Sequence, residues 1–363
     1  MTEKSDSATK KITFEMWDDS DEPSILALVR RNYGDYDTSF SDYFDWEYRK
    51  NPAGRAIIGC GKTPDGAVVT ALATVPTPVL FRGERLPACQ LVNGMTHPDY
   101  RGRGLFAECG RMVVRAMKES GIALSYGFPN PNSFPTLTQN IGYHGIGRAQ
   151  LMAFLHRPAA LASTRAPAAR FFEKWNIDRL LARLFHGMLQ KKGRLKMEVE
   201  RRDSFSGLSL EGLRDQAELV VDTDTAWLNW RYTNVPRRQY RIIIAGKDHE
   251  PLGIAVYRVS LWENVKIGTL NELFVPAHPN PDATESLVAH VVTECEQKGC
   301  AATFCLVTPS SRKEKMLRQL GFVAVPPRFE PQPFAVILQG HSVSIEGISV
   351  RNMAISFGAY DVF

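Results

Sequence analysis

The chain has 363 residues, of which 44% are hydrophobic and 23% charged, and its formal net charge is +5. That length suits two domains of ordinary size, each able to bury its own core. So small a net charge excludes a strongly basic nucleic-acid binder, while a modest excess of Lys and Arg suits an anionic small ligand.

Met1 to Lys11 is polar, lacks the apolar core of a secretory signal, and is expected to be a disordered tail. No run approaches the ~18 apolar residues of a membrane span, so a cytoplasmic protein without an integral membrane segment is expected. From Ile12 onward, short apolar runs alternate with turn residues. Ala56 to Cys60 and Val68 to Val75 read as strands separated by Pro64-Asp65-Gly66. Val79 to Phe81 leads into Arg82-Gly83-Glu84 as a hairpin tip, and Ala88 to Thr96 is a further extended run. The period then changes. Leu105, Cys109, Met112, Val113 and Ala116 share one helical face, and Gly121 closes that helix. Ile122 to Phe128 is again apolar and strand-like. Strands followed by a strand–turn–helix–strand unit predict an α/β architecture with a mixed sheet.

Residues 156–202 differ, with twelve Lys and Arg against four Asp and Glu. Phe171, Trp175, Leu181, Leu184, Phe185, Met188 and Leu189 give this stretch a helical amphipathic pattern. A basic amphipathic helix can rest on a membrane surface, but the simpler reading is a helical connector between two lobes. After Leu208 the pattern restarts. Trp230-Arg231-Tyr232 with Pro236 echoes Trp46-Glu47-Tyr48 with Pro52, and Leu320-Gly321-Phe322 echoes Ile141-Gly142-Tyr143. Two echoes in the same order predict a tandem repeat of one fold. The expected division is a tail over 1–11, a first domain over 12–156, a connector over 157–205, a second domain over 206–340, and a C-terminal segment over 341–363 docked on the fold. Cys60, Cys89, Cys109, Cys295, Cys300 and Cys305 form no C-x-x-C pair and have no His at ligand spacing. They are expected to be buried thiols of a reducing compartment rather than metal ligands.

The informative stretch runs from Met95 and Thr96 through His97-Pro98-Asp99-Tyr100 to Arg101-Gly102-Arg103-Gly104-Leu105-Phe106. It joins a strand to an amphipathic helix. The first amides of a helix lack intrahelical partners and sit at the positive end of the helix dipole, which together make an anion site. Gly102 and Gly104 let the backbone come close to a ligand, and Arg101 and Arg103 add positive charge. Such a turn suits a pyrophosphate.

Arg101-x-x-Gly104 preceded by His97-Pro98-x-Tyr100 resembles the coenzyme A motif of the GNAT superfamily of N-acyltransferases, although Phe106 stands where the motif usually ends in Gly or Ala. The likeness continues through Gly127-Phe128-Pro129-Asn130-Pro131-Asn132-Ser133-Phe134 to Asn140-Ile141-Gly142-Tyr143. In detail it covers roughly residues 40–155, and the second half matches in outline. The resemblance implies an α/β (α+β) fold of two tandem GNAT-like lobes, each a mixed, largely antiparallel sheet flanked by helices. It implies transfer of an acyl group from acetyl-CoA or another acyl-CoA to a primary amine of a small molecule, such as an amino sugar or metabolite, by direct attack in a ternary complex without a metal. It places Met95, Thr96, the turn from Arg101 to Phe106, Asn132 and Ser133 at the coenzyme.

The catalytic assignment is more open. The family's acid is a Tyr four residues before the Gly–aromatic pair, where this chain has Thr138; Tyr126 and Tyr143 are the nearby substitutes. The strand position that often bears a basic carboxylate falls near Asn93, which can orient a substrate or water but not act as a base. Glu108 reads as a solvated charge. His97 and His144 are loop histidines, of which His144 is the stronger proton-shuttle candidate. Some tandem members place a C-terminal carboxylate in the active site, which makes Asp361 and the Phe363 terminus candidates as well. In the second half, Leu270-Asn271-Glu272-Leu273-Phe274-Val275 reads as the equivalent strand, but Pro276, Pro279 and Pro281 follow it without an Arg-x-x-Gly. Prolines remove backbone donors, so one coenzyme per chain is expected, with the second lobe shaping the acceptor cleft. Two other readings stay open: a Fem-type aminoacyl transferase, and a non-catalytic coenzyme-sensing module. Monomer and homodimer are both left open.

Overall fold

The computed structural model describes residues 11–162, 197–213, 215–247 and 250–360. The expected tail up to residue 10 and most of the connector lie outside these residues. The chain divides into two compact units. Unit 1 comprises Met1–Pro78, Leu86–Gly145 and Ile337–Glu346, and unit 2 comprises Val79–Arg85, Ile146–Val336 and Gly347–Phe363. The sequence reading drew two continuous domains, whereas each compact unit is discontinuous. The reason is strand pairing, which periodicity along the chain does not record.

In chain order the strands are β1 (Thr13–Met16), β2 (Ile57–Lys62), β3 (Val68–Pro76), β4 (Val79–Phe81), β5 (Glu84–Leu86), β6 (Ala88–Thr96), β7 (Leu124–Gly127) and β8 (His144–Arg148). They continue with β9 (Gln150–Leu155), β10 (Val199–Arg202), β11 (Leu219–Val221), β12 (Arg241–Lys247), β13 (Glu250–Trp262), β14 (Val265–Phe274), β15 (Ala302–Val307), β16 (Val323–Ala324) and β17 (Ala335–Gly340). One seven-stranded sheet has the order β1-β2-β3-β6-β7-β17-β8, and a second has the order β10-β12-β13-β14-β15-β9-β16. Both are mixed and largely antiparallel. The β6–β7 and β14–β15 pairs are parallel, and the other pairs above are antiparallel where their register is given.

Helices α1 (Glu22–Tyr33) and α2 (Leu105–Glu119) belong to unit 1. α2 forms where Cys109, Val113 and Met117 recur one turn apart, and these side chains close a core with Leu72, Cys89, Leu91, Leu137 and Ile141. In unit 2, α3 (Pro281–Gln297) and α4 (Arg312–Gln319) cover one sheet face. There Leu287, Val291 and Cys295 meet Ile243, Tyr257, Leu270 and Cys305. All six cysteines are free and buried.

The two echoes in the sequence fall on matching structural features. Trp46 and Tyr48 lie in a π-helical turn, Asp45–Arg49, and Trp230 and Tyr232 lie in another, Asn229–Thr233. Gly142 (φ 100°) and Gly321 (φ 91°) each turn the chain after a helical segment in the left-handed region that glycine favours.

Candidate coenzyme and catalytic site

In unit 1, β6 runs parallel to β7 only from Ala88 to Leu91, opposite Leu124 to Gly127. Past that point β6 carries a bulge. Ala71 faces Met95 and Ala73 faces Val92, so Leu72 alone opposes Asn93 and Gly94. Asn93 takes φ 48°, a conformation Asn tolerates better than most residues. The bulge re-aims the Asn93 side chain. Its Nδ2 donates to Tyr48 Oη at 2.6 Å and lies 3.4 Å from Glu47 Oε2. Glu47 is buried. The end of the strand is fixed from β3, where Thr70 Oγ1 donates to the Met95 carbonyl at 3.0 Å and lies 2.9 Å from Thr96 Oγ1.

The chain then enters the turn. Arg101 donates to the Thr96 carbonyl (3.2 Å) and to Asn32 Oδ1 (2.7 Å), and Arg103 donates to the Asp99 carbonyl (2.9 Å). These bonds tie both guanidiniums to the loop and hold its exposed shape. Gly102 (φ 75°) and Gly104 (φ 76°) are both left-handed, and a Cβ built on either would meet nothing within 4 Å. Space therefore lies in front of the backbone at both positions. Gly104 is the N-cap of α2, and no side chain caps the helix. Leu105 and Phe106 open the helix, with Phe106 packed partly against the core. On the next loop, Asn130 Oδ1 accepts from the backbone N–H groups of Asn132 (2.9 Å) and Ser133 (3.0 Å). Asn130 thus shapes that loop, and Asn132 stands exposed on it.

The remaining candidates are scattered. Tyr126 is buried on β7. Tyr143 is also buried; its hydroxyl is 2.7 Å from Ser125 Oγ, which in turn is 2.9 Å from His341 Nε2. Burial raises the Tyr143 phenol well above its ordinary range. The same cause lowers the His341 imidazole to about 4. His144 is exposed at the start of β8. Thr138 Oγ1 donates back to the Phe134 carbonyl at 2.9 Å, as a helical Thr commonly does. Glu108 pairs with Arg111 at 2.6 Å on the exposed side of α2. His97 caps the short turn after β6 by accepting from the Asp99 N–H. Asp361 and Phe363 lie outside the described residues.

Sequence reasoning named Trp46-Glu47-Tyr48 only as a repeat marker. The structure brings Glu47 and Tyr48 to Asn93. The signal was the echo itself: Glu47 in the first copy stands against Arg231 in the second, a charge reversal inside an otherwise matched aromatic pair.

Unit 2 contains the corresponding strand and shows what closes it. Val256 faces Glu272 and Tyr257 faces Leu270, so Asn271 is the bulged residue of β14. The C-terminal segment occupies this place: the Gly358 N–H donates to the Asn271 carbonyl (3.3 Å), and Arg231 donates to the Tyr360 carbonyl (2.9 Å). Tyr232 donates to Glu272 Oε1 at 2.8 Å. Burial pushes the Glu272 carboxyl up to about 7, against the opposing pull of the Tyr232 hydrogen bond and of Lys313. The α3 N-terminus is already capped, because Asn280 Oδ1 accepts from the N–H groups of Asp282 (2.9 Å) and Ala283 (3.2 Å). The two helix starts therefore differ in kind: α2 opens on bare glycine, and α3 is filled by its own Asn and Pro281.

Among the described residues no helix is long and apolar enough to cross a membrane, and no cluster of His, Cys, Asp and Glu is arranged to hold a metal.

Residues 14–145 match a family described as an acetyltransferase (GNAT) domain. No curated protein matches the sequence of this chain. Solved structures resemble it at low identity. A probable N-acyltransferase from Enterococcus faecalis V583 is 13% identical, with 91% of this chain and 72% of that chain covered and a TM-score of 0.61. A GCN5-related N-acetyltransferase from Anabaena variabilis is 11% identical over 91% of this chain and 73% of that one, with a TM-score of 0.57. Another from Kribbella flavida is 16% identical over 93% and 73%, also with a TM-score of 0.57. The chain has the GNAT-superfamily acetyltransferase fold, with two GNAT-like sheets in a tandem arrangement.

Proposed function

We propose that the protein is an acyl-CoA-dependent N-acyltransferase that acts on a primary amine of a small molecule and binds one coenzyme per chain, in unit 1. The observation that carries this reading is the uncapped start of α2, where two left-handed glycines leave open space before free helix-end amides. Those amides and the helix dipole hold the diphosphate. The plugged strand and self-capped helix of unit 2 support a single site. Beyond the bulge, β6 is released from the β7 ladder, so its backbone near Met95 and Thr96 is available to hydrogen-bond the thioester carbonyl as negative charge develops on its oxygen. Asn93 orients the acceptor amine, and Glu47 takes its proton, directly or through one water. The amine nitrogen bonds to the acyl carbon, the carbon–sulfur bond breaks, and the thiolate leaves to be protonated from solvent. An acetyl group is the simplest donor for this site.

The reading is tested by titrating the full chain with acetyl-CoA and by following thiol release with a panel of amino sugars and small diamines. One coenzyme per chain and turnover of at least one amine are expected. Two coenzymes per chain, or none, refute the site; binding without turnover of any amine leaves a coenzyme-sensing module as the better description.

A further inference from the structure

Unit 2 holds an apolar cavity of about 410 Å³ that the acyl-transfer site does not use. Its origin is legible in β9. Met152 and Phe154 turn to the helix-covered core, while Leu151, Ala153 and Leu155 turn to the other face. Both faces of the strand are thus apolar, and the second face is the cavity wall. In register across that wall, Ala153 faces Phe304 on β15, and Phe304 faces Thr269 on β14. A large ring between two small side chains leaves room on either side of it. Phe304 lies in mid-strand, between two paired neighbours, yet it remains partly exposed, unlike the residues on each side of it. Its exposed surface faces the cavity.

The rim carries charge. Phe329 lines the cavity and is 52% exposed, and the Arg328 guanidinium lies 4.7 Å from its ring centroid. Among the described residues Arg328 has no carboxylate partner. The adjacent Glu330 is buried and already paired with Arg148. An apolar pocket with an exposed guanidinium stacked on the ring of its wall residue Phe329 matches a ligand with an apolar body and one anionic end.

We propose that this cavity binds an unbranched medium-chain monocarboxylate, with its chain against Phe304 and Ala153 and its carboxylate at Arg328. At the ~30 Å³ that a water occupies in the liquid, the volume is that of about fourteen waters, enough for an eight-carbon chain. The proposal is independent of the coenzyme site.

Calorimetric titration of the full chain with octanoate, butyrate and octan-1-ol tests it. Each buried methylene adds about fourfold in affinity, so octanoate, with four more methylenes, binds about 250-fold tighter than butyrate. Arg328→Gln weakens octanoate about tenfold and leaves octan-1-ol unchanged. Val325→Trp, which fills the cavity from a partly exposed wall position, abolishes both; Val323→Phe, in register with Ala153 on the cavity face, gives the same reading more mildly where the larger residue prevents folding. The melting temperature of each variant without ligand serves as the folding control. The proposal is overturned by no octanoate uptake at millimolar concentration, by equal affinity for butyrate, by indifference to Arg328→Gln, or by binding that survives a filled cavity. Self-association that Val325→Trp abolishes, without octanoate uptake, would assign the face to a second copy of the chain and overturn it equally.

Discussion

Gly104→Asp probes the site at the position where geometry says most. Gly104 has φ 76° and caps α2 without any side-chain hydrogen bond. A non-glycine residue in that conformation costs about 1–2 kcal/mol. Asp recovers part of that as a good N-cap, so the variant folds with only a small loss of stability. Coenzyme binding behaves differently. At about 5 Å, two unit charges interact by roughly 0.8 kcal/mol in a water-like dielectric and about 3 kcal/mol at an effective dielectric of 20. The turn is exposed, so the lower value governs, and two phosphate charges give about 2 kcal/mol. Helix-end amides that now serve the new cap add about 1 kcal/mol of lost contact. The sum, about 3 kcal/mol, is roughly a hundredfold in Kd. Gly104→Ala carries the backbone strain without the charge and separates the two causes. Calorimetric titration with acetyl-CoA, beside a urea melt of each variant, reads both quantities. A Gly104→Asp protein that folds and binds acetyl-CoA within threefold of the parent refutes the placement of the diphosphate.

Glu47→Gln is expected to lower kcat by about 10²–10⁴-fold with an unchanged Kd for acetyl-CoA; single-turnover kinetics at saturating amine checks this, and an unaltered kcat removes Glu47 from the chemistry. Tyr143→Phe deletes a buried hydroxyl bonded to Ser125 and is expected to cost about 1 kcal/mol in chemical denaturation with full activity; a large fall in kcat would instead give Tyr143 a catalytic role. Glu272 gives a pH signature. Its folded-state carboxyl, near 7, lies above the ordinary value of 4.5, so the native state binds the proton more tightly than the unfolded chain does. The stabilisation is full below about pH 4.5 and is lost as pH rises to about 7, by roughly 3 kcal/mol. Glu272→Gln should flatten that part of the stability–pH curve, and parallel curves for parent and variant would contradict the burial argument. In Gly358→Ala the added Cβ runs into the Glu272 carboxylate and the Tyr232 hydroxyl. A loss of about 1–3 kcal/mol on denaturation is expected, with acetyl-CoA affinity unaltered.

The strands from Ile57 to Thr96 and helix α2 were legible because each carries a clean period of its own, bounded by Pro, Gly or Asp. The Arg101–Gly104 turn was legible because glycine spacing reports backbone shape, and Gly102 and Gly104 are both left-handed. The β6 bulge was not: nothing in Leu91-Val92-Asn93-Gly94 announces that two residues will share one partner, since that register depends on β3. The unit boundaries escaped for a similar reason. β9 follows β8 directly in the chain but pairs with β15, and β17 returns from near residue 337 to pair with β7. Tyr126 and Tyr143 attracted attention as aromatics near a motif, and only the packing shows that both are enclosed.

On the proposed reading, a duplicated fold keeps one site and closes the other without changing its frame. Each has a strand bulged at an Asn, and each has a Tyr supplied by a π-helical turn. In unit 1 the Asn side chain holds that Tyr and the neighbouring Glu47, and the helix beyond begins on bare glycine. In unit 2 the residue matched to Glu47 is Arg231, which holds the chain's own C-terminal segment by the Tyr360 carbonyl. Reversing one charge thus exchanges a carboxylate that can accept a proton for a guanidinium that can only donate hydrogen bonds. The same segment meets the bulge backbone through Gly358, where only a residue without a Cβ passes Glu272. The strand and helix start of unit 2 that correspond to the proposed site are therefore occupied through Arg231, Gly358 and Asn280 together. Changing Arg231 or Gly358 should loosen unit 2 without creating a second coenzyme site, because Pro281 has no N–H and Asn280 still holds those of Asp282 and Ala283.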